Sequence, residues 1–160
     1  MTAREKVTRA DFIGRDLVIV LGGDGTLTSI SHNIDADTPV IGVNSHPIED
    51  YPNGSFGFYM DSDVHTFGED IVTALKGEAI INEIPRLQAI IDTTSGNRFT
   101  TDPAMNDLLI ANTHQYAPSK YHLRRDGKKC RQQSSGIVFS TWLGQGAWLN
   151  HILEEETLEK

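Results

Sequence analysis

The stretch Leu17-Val18-Ile19-Val20-Leu21-Gly22-Gly23-Asp24-Gly25-Thr26 decides the fold of this 160-residue chain. Its first five residues form a short apolar run rich in β-branched side chains, which is typical of a strand buried on both faces of a parallel sheet. The glycines that follow end the strand and let the backbone come close to a ligand. Apolar residues spaced three and four apart then predict a helix over residues 26–34, with Thr26 near its N-cap.

A second apolar run, Pro39-Val40-Ile41-Gly42-Val43, predicts another buried strand. Strand, glycine turn, helix and strand make a βαβ unit, whose crossover should be right-handed. Residues 44–60 are punctuated by Pro, Asn and Gly, so they predict a loop. A further helix is predicted from a cap at Ser62 to about Leu75, with Gly77 at its C-terminal cap.

After Gly77 the sequence predicts strands separated by turns. The predicted strands cover residues 80–81, 87–91, 108–110 and 136–139. Turn residues predict one hairpin at Ser95-Gly96-Asn97 and a second over residues 119–131, bent at Asp126-Gly127. The last segment, residues 147–160, has the apolar spacing of a helix with a charged end.

This order of elements predicts an α/β fold made of two parts. Residues 1–77 form a Rossmann-like part with a parallel sheet, and residues 78–160 form a β-rich part with a C-terminal helix. The carboxyl ends of the parallel strands are where open α/β sheets bind ligands. The glycine turn at this edge, leading into a helix N-terminus, therefore predicts a phosphate-binding site.

Composition and charge exclude several classes of function. The net charge of −8 argues against non-specific binding to nucleic acid, which needs Lys and Arg to neutralise phosphates. No apolar run approaches the roughly 20 residues of a membrane-spanning helix, and the polar start does not resemble a secretory signal. A single cysteine, Cys130, fits a reducing compartment, so we expect a cytoplasmic protein. The histidines and the cysteine show no metal-ligand spacing, so no structural metal site is predicted.

Asp24 is the residue that gives the glycine turn a chemical role. A carboxylate inside a phosphate-binding turn repels phosphate, by roughly 4 kcal/mol at about 4 Å and an effective dielectric of about 20. The cost makes sense if Asp24 accepts a proton from an attacking hydroxyl, or meets phosphates through Mg²⁺. A plain turn remains the alternative, since Asp-Gly is common in hairpins.

Four segments of the chain resemble the NAD kinase family. Gly22-Gly23-Asp24-Gly25-Thr26 is similar to the signature of the superfamily that contains NAD kinases, diacylglycerol kinases and phosphofructokinases. Three later segments resemble NAD kinases in particular: Pro39-Val40-Ile41-Gly42-Val43-Asn44, Asn106-Asp107-Leu108-Leu109-Ile110, and residues 134–141 with Gly144 and Ala147-Trp148. The Ser-Ser-Gly opening of the last segment and its closing Trp look most like the mitochondrial-type branch and its bacterial relatives.

The resemblance implies transfer of the γ-phosphoryl group of ATP to the 2′-hydroxyl of NAD, giving NADP. It implies that Asp24 is the base on that hydroxyl and that Mg²⁺ accompanies the phosphates of ATP. The binding residues that it implies fall into three groups. Gly22, Gly23, Gly25 and Thr26 lie near phosphates; Asn44, Asn106, Asp107, Ala147 and Trp148 bind or orient NAD; Gly136, Thr141 and Gly144 shape the nucleotide-binding wall.

Departures from the family pattern keep two further hypotheses open. Asp107 stands where the family usually has Glu, and Leu143-Gly144-Gln145 stands where it usually has Thr-Gly-Ser. Family members also carry segments on both sides of the matched region, so the resemblance implies a truncated, split or divergent member. A missing half-sheet would leave apolar faces exposed and favour oligomerisation or a partner chain, and we expect a homo-oligomer. The chain could thus be a non-catalytic nucleotide-binding protein or an incomplete subunit. It could also be a lipid or sugar kinase of the same superfamily.

Overall fold

The structure is a computed structural model that describes residues 1–114 and 116–150. The chain divides into two compact units, Met1–Ile84 (unit 1) and Pro85–Lys160 (unit 2). Unit 1 contains a parallel sheet with helices, and the described residues of unit 2 form antiparallel strand pairs. The predicted α/β fold class is therefore confirmed.

A parallel three-stranded sheet forms the centre of unit 1. Its strands are β1 (Val18–Gly22), β2 (Val40–Asn44) and β3 (Ser62–Asp63), in the order β1-β2-β3. The strands predicted at 17–21 and 39–43 are confirmed, each displaced by one residue. Val18 pairs with Val40 and Gly22 pairs with Asn44, so β1 and β2 end side by side.

Helix α1 (Asp24–Ile30) begins earlier than predicted. The prediction that Thr26 lies near the N-cap is wrong, because Gly23 is the N-cap residue. The Gly23 carbonyl already accepts hydrogen bonds from the N–H groups of Thr26 (2.8 Å) and Leu27 (3.4 Å). The helix is also shorter than predicted, since residues 31–33 form a 3₁₀ turn.

The core of unit 1 lies between the sheet and α1. It consists of Phe12, Val20, Leu27 and Ile30, with Val7, Val18, Ile34, Val40, Tyr59 and Met60 packed against it. Phe12 reaches the core because two 3₁₀ turns, Arg4–Lys6 and Arg9–Asp11, fold the first residues back. A capping box between Thr8 and Asp11 fixes the second turn, and the Phe12 carbonyl accepts a hydrogen bond from Thr38 Oγ1 (2.9 Å).

Helix α2 (Phe67–Leu75) follows β3. The prediction of Ser62 as its cap is wrong, because Ser62 lies in β3 and Thr66 is the N-cap residue. The carboxylate of Asp63 accepts the backbone N–H groups of His65 (2.7 Å) and Thr66 (2.9 Å), and so turns the chain into the helix. Gly77 follows the helix with a φ of +73°, which confirms its predicted place at the C-terminal end.

Three antiparallel strand pairs make up the described part of unit 2. Strand β4 (Ile90–Asp92) pairs with β5 (Arg98–Thr100), β6 (Asp107–Ala111) with β9 (Gly136–Ser140), and β7 (Ser119–Arg125) with β8 (Lys128–Ser134). Both predicted hairpins are confirmed, with left-handed residues in their turns: Gly96 (φ +87°), Asp126 (φ +48°) and Gly127 (φ +76°).

The predicted strand at residues 80–81 is wrong. Ile80 and Ile81 are 89% and 71% exposed and pair with no strand among the described residues. β-branched side chains favour a strand only when a neighbouring strand and a packing surface are present. For the predicted C-terminal helix, residues 148–150 are helical, and residues 151–160 lie outside the described part of the chain.

No helix within residues 1–114 and 116–150 has the length and apolar character needed to cross a membrane.

Candidate functional site

Unit 1 brings Asp24 and Asn44, two of its three polar candidate residues, to one edge of the sheet. The third, Thr26, lies in α1, where its N–H donates to the Gly23 carbonyl. Asn44 is the last residue of β2 and pairs in register with Gly22, the last residue of β1. The N–H of Ser45 donates to the Gly22 carbonyl (3.0 Å), which holds the two chain ends together. Asp24 begins α1 two residues after β1. The strand register therefore brings Asp24 and Asn44 to the carboxyl edge of the sheet, where the sequence predicts a phosphate-binding site.

The carboxylate of Asp24 faces the loop over residues 44–60. The Ser55 hydroxyl donates to Asp24 Oδ2 (2.9 Å), and the backbone N–H of Tyr59 donates to Oδ1 (2.8 Å). The Asp24 side chain is half-buried. An ionised carboxylate offers about four lone-pair positions, so about two remain for a substrate hydroxyl. Asp24 is thus oriented by its own chain and keeps capacity to accept a proton.

Ser55 and Tyr59 are contacts of Asp24 that sequence reasoning missed. They lie 31 and 35 residues further along the chain, in a segment with no period. The Tyr59 contact comes from the backbone, so no choice of side chain signals it. Ser55 stands in a Pro-Asn-Gly-Ser run, where a serine is an ordinary turn residue.

The side chain of Asn44 makes its hydrogen bonds to the loop over residues 44–60. Its side chain is buried at 4% exposure. The amide Nδ2 donates to the Ser55 carbonyl (2.9 Å), and Oδ1 accepts the N–H of His46 (3.3 Å). Gly57 packs against it with a φ of +67°, and a Cβ there would lie 2.8 Å from Asn44 Nδ2. Asn44 therefore sets the course of the loop that faces Asp24.

The three glycines of the turn differ in which atoms lie close to them. A Cβ at Gly22 would lie 2.7 Å from Thr26 Cβ, and one at Gly23 would lie 2.6 Å from Ser55 Cβ. Both positions therefore require glycine because the chain itself is close. At Gly25 a Cβ would meet nothing within 4 Å, so that glycine faces open space. Gly25 is the turn residue whose surroundings leave room for a ligand.

His65 and Asp50 close the other end of the loop, with His65 Nε2 lying 2.7 Å from Asp50 Oδ2. The hydrogen bond to Asp50, together with the charges of Asp50, Asp63 and Glu49, raises the pKa of His65 above 6.5. A histidine with a raised folded-state pKa stabilises the fold fully at pH values below its unfolded pKa. This contribution is lost as the pH rises through the folded-state value, and it is small because both groups are exposed.

An NMR titration of His65 should therefore show a midpoint above 6.5. Asp50→Asn should lower that midpoint, because it removes the charge and the charge-assisted hydrogen bond. Asp16→Asn is the matched control: it removes an exposed aspartate that is not among the groups acting on His65. Equal midpoints in the wild type and Asp50→Asn would show that the pair does not form in solution.

Unit 2 brings four of its candidate residues together where β6 begins and β9 ends. The Thr141 N–H donates to the Asn106 carbonyl (2.8 Å), and the Gly144 N–H donates to Thr141 Oγ1 (3.0 Å). Asp107 pairs in register with Ser140. A Cβ at Gly144 would collide with the Asn106 carbonyl oxygen, so glycine is required for this approach. Asn106, Asp107, Thr141 and Gly144 thus form one cluster.

Two acceptors in this cluster lack a donor. Asn106 Oδ1 and Asp107 Oδ1 are buried and have no hydrogen-bond partner within the described part of the chain. A buried acceptor without a partner costs about 1–3 kcal/mol. Such atoms need a donor from outside the described chain, which an ordered water or a ligand supplies. The arrangement fits a molecule rich in hydroxyl or amino groups.

The remaining candidates of unit 2 lie apart from the cluster or at its margin. Gly136 pairs with Ala111 at the opposite end of the β6–β9 ladder, and a Cβ there would lie 3.0 Å from Ala111 Cβ. Ala147 follows the 3₁₀ turn Leu143–Gly146, and its N–H donates to the Gly144 carbonyl (3.0 Å). Trp148 comes next and is partly exposed.

The described residues contain no group of three His, Cys, Asp or Glu side chains able to hold a metal ion. Both oxygens of Asp24 already accept hydrogen bonds from Ser55 and Tyr59. Within the described part of the chain, no set of protein ligands is present that would hold Mg²⁺ without further ligands. Mg²⁺ in proteins is commonly bound through substrate phosphates and few protein ligands.

Comparisons with known proteins agree on one family. Residues 3–79 match the family model described as the ATP-NAD kinase N-terminal domain. The NAD kinase of Clostridium perfringens is 26% identical over 141 residues, which cover 86% of this chain and 47% of that protein. The NAD kinase of Lachnospira eligens is 30% identical over 135 residues, covering 83% and 43%. The chain spans about half the length of the curated relatives that it matches.

A solved structure shares the fold. The crystal structure of an NAD kinase from Archaeoglobus fulgidus in complex with ATP matches 85% of this chain and 49% of its own, with a TM-score of 0.61 and 19% identity. A parallel sheet with a glycine turn, followed by antiparallel strand pairs, is thus the fold of an NAD kinase. Together with the family match over residues 3–79 and the similar sequences, this supports the NAD kinase family for the chain.

Proposed function

We propose that this protein transfers the γ-phosphoryl group of ATP to the 2′-hydroxyl of NAD, giving NADP and ADP. The observation that carries the proposal is the orientation of Asp24, whose carboxylate is held by Ser55 and Tyr59 beside the glycine turn. Similarity to the family supports the class of reaction, since the matched relatives are NAD kinases.

Asp24 acts as the general base in this proposal. The 2′-hydroxyl of NAD gives its proton to a free lone pair of the carboxylate, and its oxygen forms a bond to the γ-phosphorus while the bond to ADP breaks. The donors from Ser55 and Tyr59 restrict rotation of the carboxylate, so less orientation is lost when the substrate arrives. Gly25 gives the substrate access to the turn because its surroundings are open.

The cluster in unit 2 recognises NAD in this proposal. Asn106 Oδ1 and Asp107 Oδ1 are acceptors without donors. NAD carries ribose hydroxyls and amino groups, which are the donors that these atoms lack. Thr141 holds the cluster, because its hydroxyl donates to the Met105 carbonyl (2.7 Å) and accepts the Gly144 N–H (3.0 Å). Mg²⁺ belongs to the phosphates of ATP, and no step is assigned to it.

The decisive experiment is an assay of NADP formation by the purified chain with ATP, NAD and Mg²⁺. The readout is the NADPH that an NADP-specific glucose-6-phosphate dehydrogenase forms from the NADP, and the same mixture without the purified chain measures the background. Omission of ATP is the control for contaminating NADP. ATP-dependent formation supports the proposal, and its absence in a folded chain that binds NAD contradicts it.

Asp107→Leu should weaken NAD binding about tenfold or more while raising the melting temperature. Leu has the same branching as Asp, removes the unpaired buried oxygen and cannot accept a hydrogen bond. Calorimetry measures the NAD affinity, and a thermal melt measures the stability. Asp102→Leu is the matched control, because Asp102 is exposed in the same unit. Unchanged NAD affinity in Asp107→Leu would contradict the assigned role.

A non-catalytic nucleotide-binding protein is the second candidate. It is favoured by the segment Trp142-Leu143-Gly144-Gln145, which supplies no side-chain hydroxyl next to Thr141, and by the exposure of Trp142. It predicts NAD binding in calorimetry without ATP-dependent NADP formation. The same pair of measurements therefore separates the two candidates.

A further inference from the structure

We propose that Ser55 is the positioning residue for Asp24, and that the second glycine of the turn exists to admit it. The inference rests on the proposed function, because it concerns the base of that reaction. The inference is based on the hydrogen bonds of the Ser55 hydroxyl, which all lie within unit 1.

The Ser55 hydroxyl contacts both ends of Asp24. Its proton goes to Asp24 Oδ2 (2.9 Å), and its oxygen accepts the Asp24 backbone N–H (3.1 Å). The oxygen also accepts the N–H of Gly57 (3.3 Å). One donor and two acceptor positions are all that a hydroxyl offers, so these contacts use it completely. Ser55 therefore orients Asp24 and has no proton left to exchange with a substrate.

The backbone of Ser55 is fixed as firmly as its side chain. Its N–H donates to the His46 carbonyl (2.8 Å), and its carbonyl accepts the N–H of Ile48 (3.0 Å) and the amide of Asn44 (2.9 Å). Asn44 is buried at the end of β2, so the position of Ser55 is tied to the sheet. The sheet thereby sets the position of the carboxylate through two side chains.

Gly23 is required by this contact. A Cβ at residue 23 would lie 2.6 Å from Ser55 Cβ and 2.8 Å from Ser55 Oγ. Real Cβ atoms do not come so close, so any larger residue displaces the serine. The glycine of the turn thus makes room for the group that orients the base. This role differs from the close approach to phosphate that the turn alone predicts.

The test compares Ser55→Ala with Ser29→Ala in the whole chain. Ser29 is the matched control, because its hydroxyl lies on α1 and donates only to the Thr26 carbonyl (2.9 Å). The first readout, amide hydrogen exchange by NMR, requires no activity. The amides of Tyr59 and Asp24 should exchange about tenfold faster or more in Ser55→Ala and stay unchanged in Ser29→Ala.

The second readout is the kinetics of NADP formation. Ser55→Ala should lower kcat by about tenfold to hundredfold with little change in KM for NAD, because the base is misplaced while binding is kept. Ser55→Thr retains the hydroxyl and should restore most of kcat. Should the added methyl group prevent folding, which a thermal melt detects, Ser55→Cys is the second variant that retains a hydrogen-bonding group.

The two readouts separate the failure of this inference from the failure of the proposed function. Unchanged amide exchange and unchanged kcat in Ser55→Ala would overturn the inference. Faster exchange with unchanged kcat would overturn it as well, because the serine would then be structural only. A wild-type chain that forms no NADP contradicts the proposed function, and amide exchange alone then decides whether Ser55 holds Asp24.

Discussion

Asp24→Asn should lower kcat for NADP formation by about 10²- to 10⁴-fold, the contribution of a well-placed general base. Asn has the same shape and still accepts the N–H of Tyr59 at Oδ1, but its amide cannot take a proton from a hydroxyl. The NH2 group of Asn takes the place of Oδ2 and cannot accept from the Ser55 hydroxyl, so that contact is lost, whereas the contact with Tyr59 is kept. The affinity for NAD should change little. Steady-state NADP formation, calorimetry with NAD and a thermal melt measure the three quantities.

The matched control is Asp16→Asn, which makes the same chemical change at an exposed residue shortly before β1. It should leave kcat unchanged. Full turnover in Asp24→Asn would remove Asp24 from the mechanism, and the proposed function would then lose the observation on which it depends. If Asp24→Asn lowered the melting temperature and left kcat unchanged, the carboxylate would stabilise the fold and take no part in the reaction.

Phe12→Ala should lower the free energy of unfolding of unit 1 by about 3–5 kcal/mol. Phe12 is 1% exposed and packs in the core with Val20, Leu27 and Ile30. Its truncation removes a large apolar side chain and leaves a cavity between the sheet and α1. Since domains are stable by about 5–15 kcal/mol, a large share of the stability is at stake.

Urea unfolding followed by circular dichroism measures this loss. The control is Phe56→Ala, which truncates the same type of side chain where it is 80% exposed. That variant should change the free energy of unfolding by less than about 0.5 kcal/mol. A loss below about 1 kcal/mol in Phe12→Ala would show that residues 1–12 do not form part of the core.

Strands β1 and β2 of unit 1 could be predicted because their signals are local. The apolar runs at 17–21 and 39–43 are each bounded by turn residues, and the structure displaces them by only one residue. The hairpin at Asp126-Gly127 was equally clear, because type I′ turns need two residues with positive φ. Phe12 could not be placed, because the 3₁₀ turns that bury it show no apolar period.

The roles of the candidate site residues stay predictions, but the sequence could place some of these residues better than it could place their contacts. The grouping of Asp24 with Asn44 follows from parallel strands of matched register. Ser55 and Tyr59 could not be predicted, because their contacts depend on the path of a long loop and one of them uses the backbone. Ser62 was misjudged as a cap because a serine before an apolar stripe fits a short strand equally well. The oligomeric state and the cytoplasmic location stay predictions.

The tie between Asp24 and the segment at Ser55 and Tyr59 joins residues 31 and 35 positions apart. Contacts between residues so far apart in sequence form only when the intervening chain closes into a loop, which lowers its conformational entropy. In a partly folded unit 1, β1 and α1 would be formed while the loop over residues 44–60 is still open. The carboxylate of Asp24 would then lack the hydrogen bonds that orient it. The proposed activity would then appear only at the end of folding, and partly folded chains would be inactive.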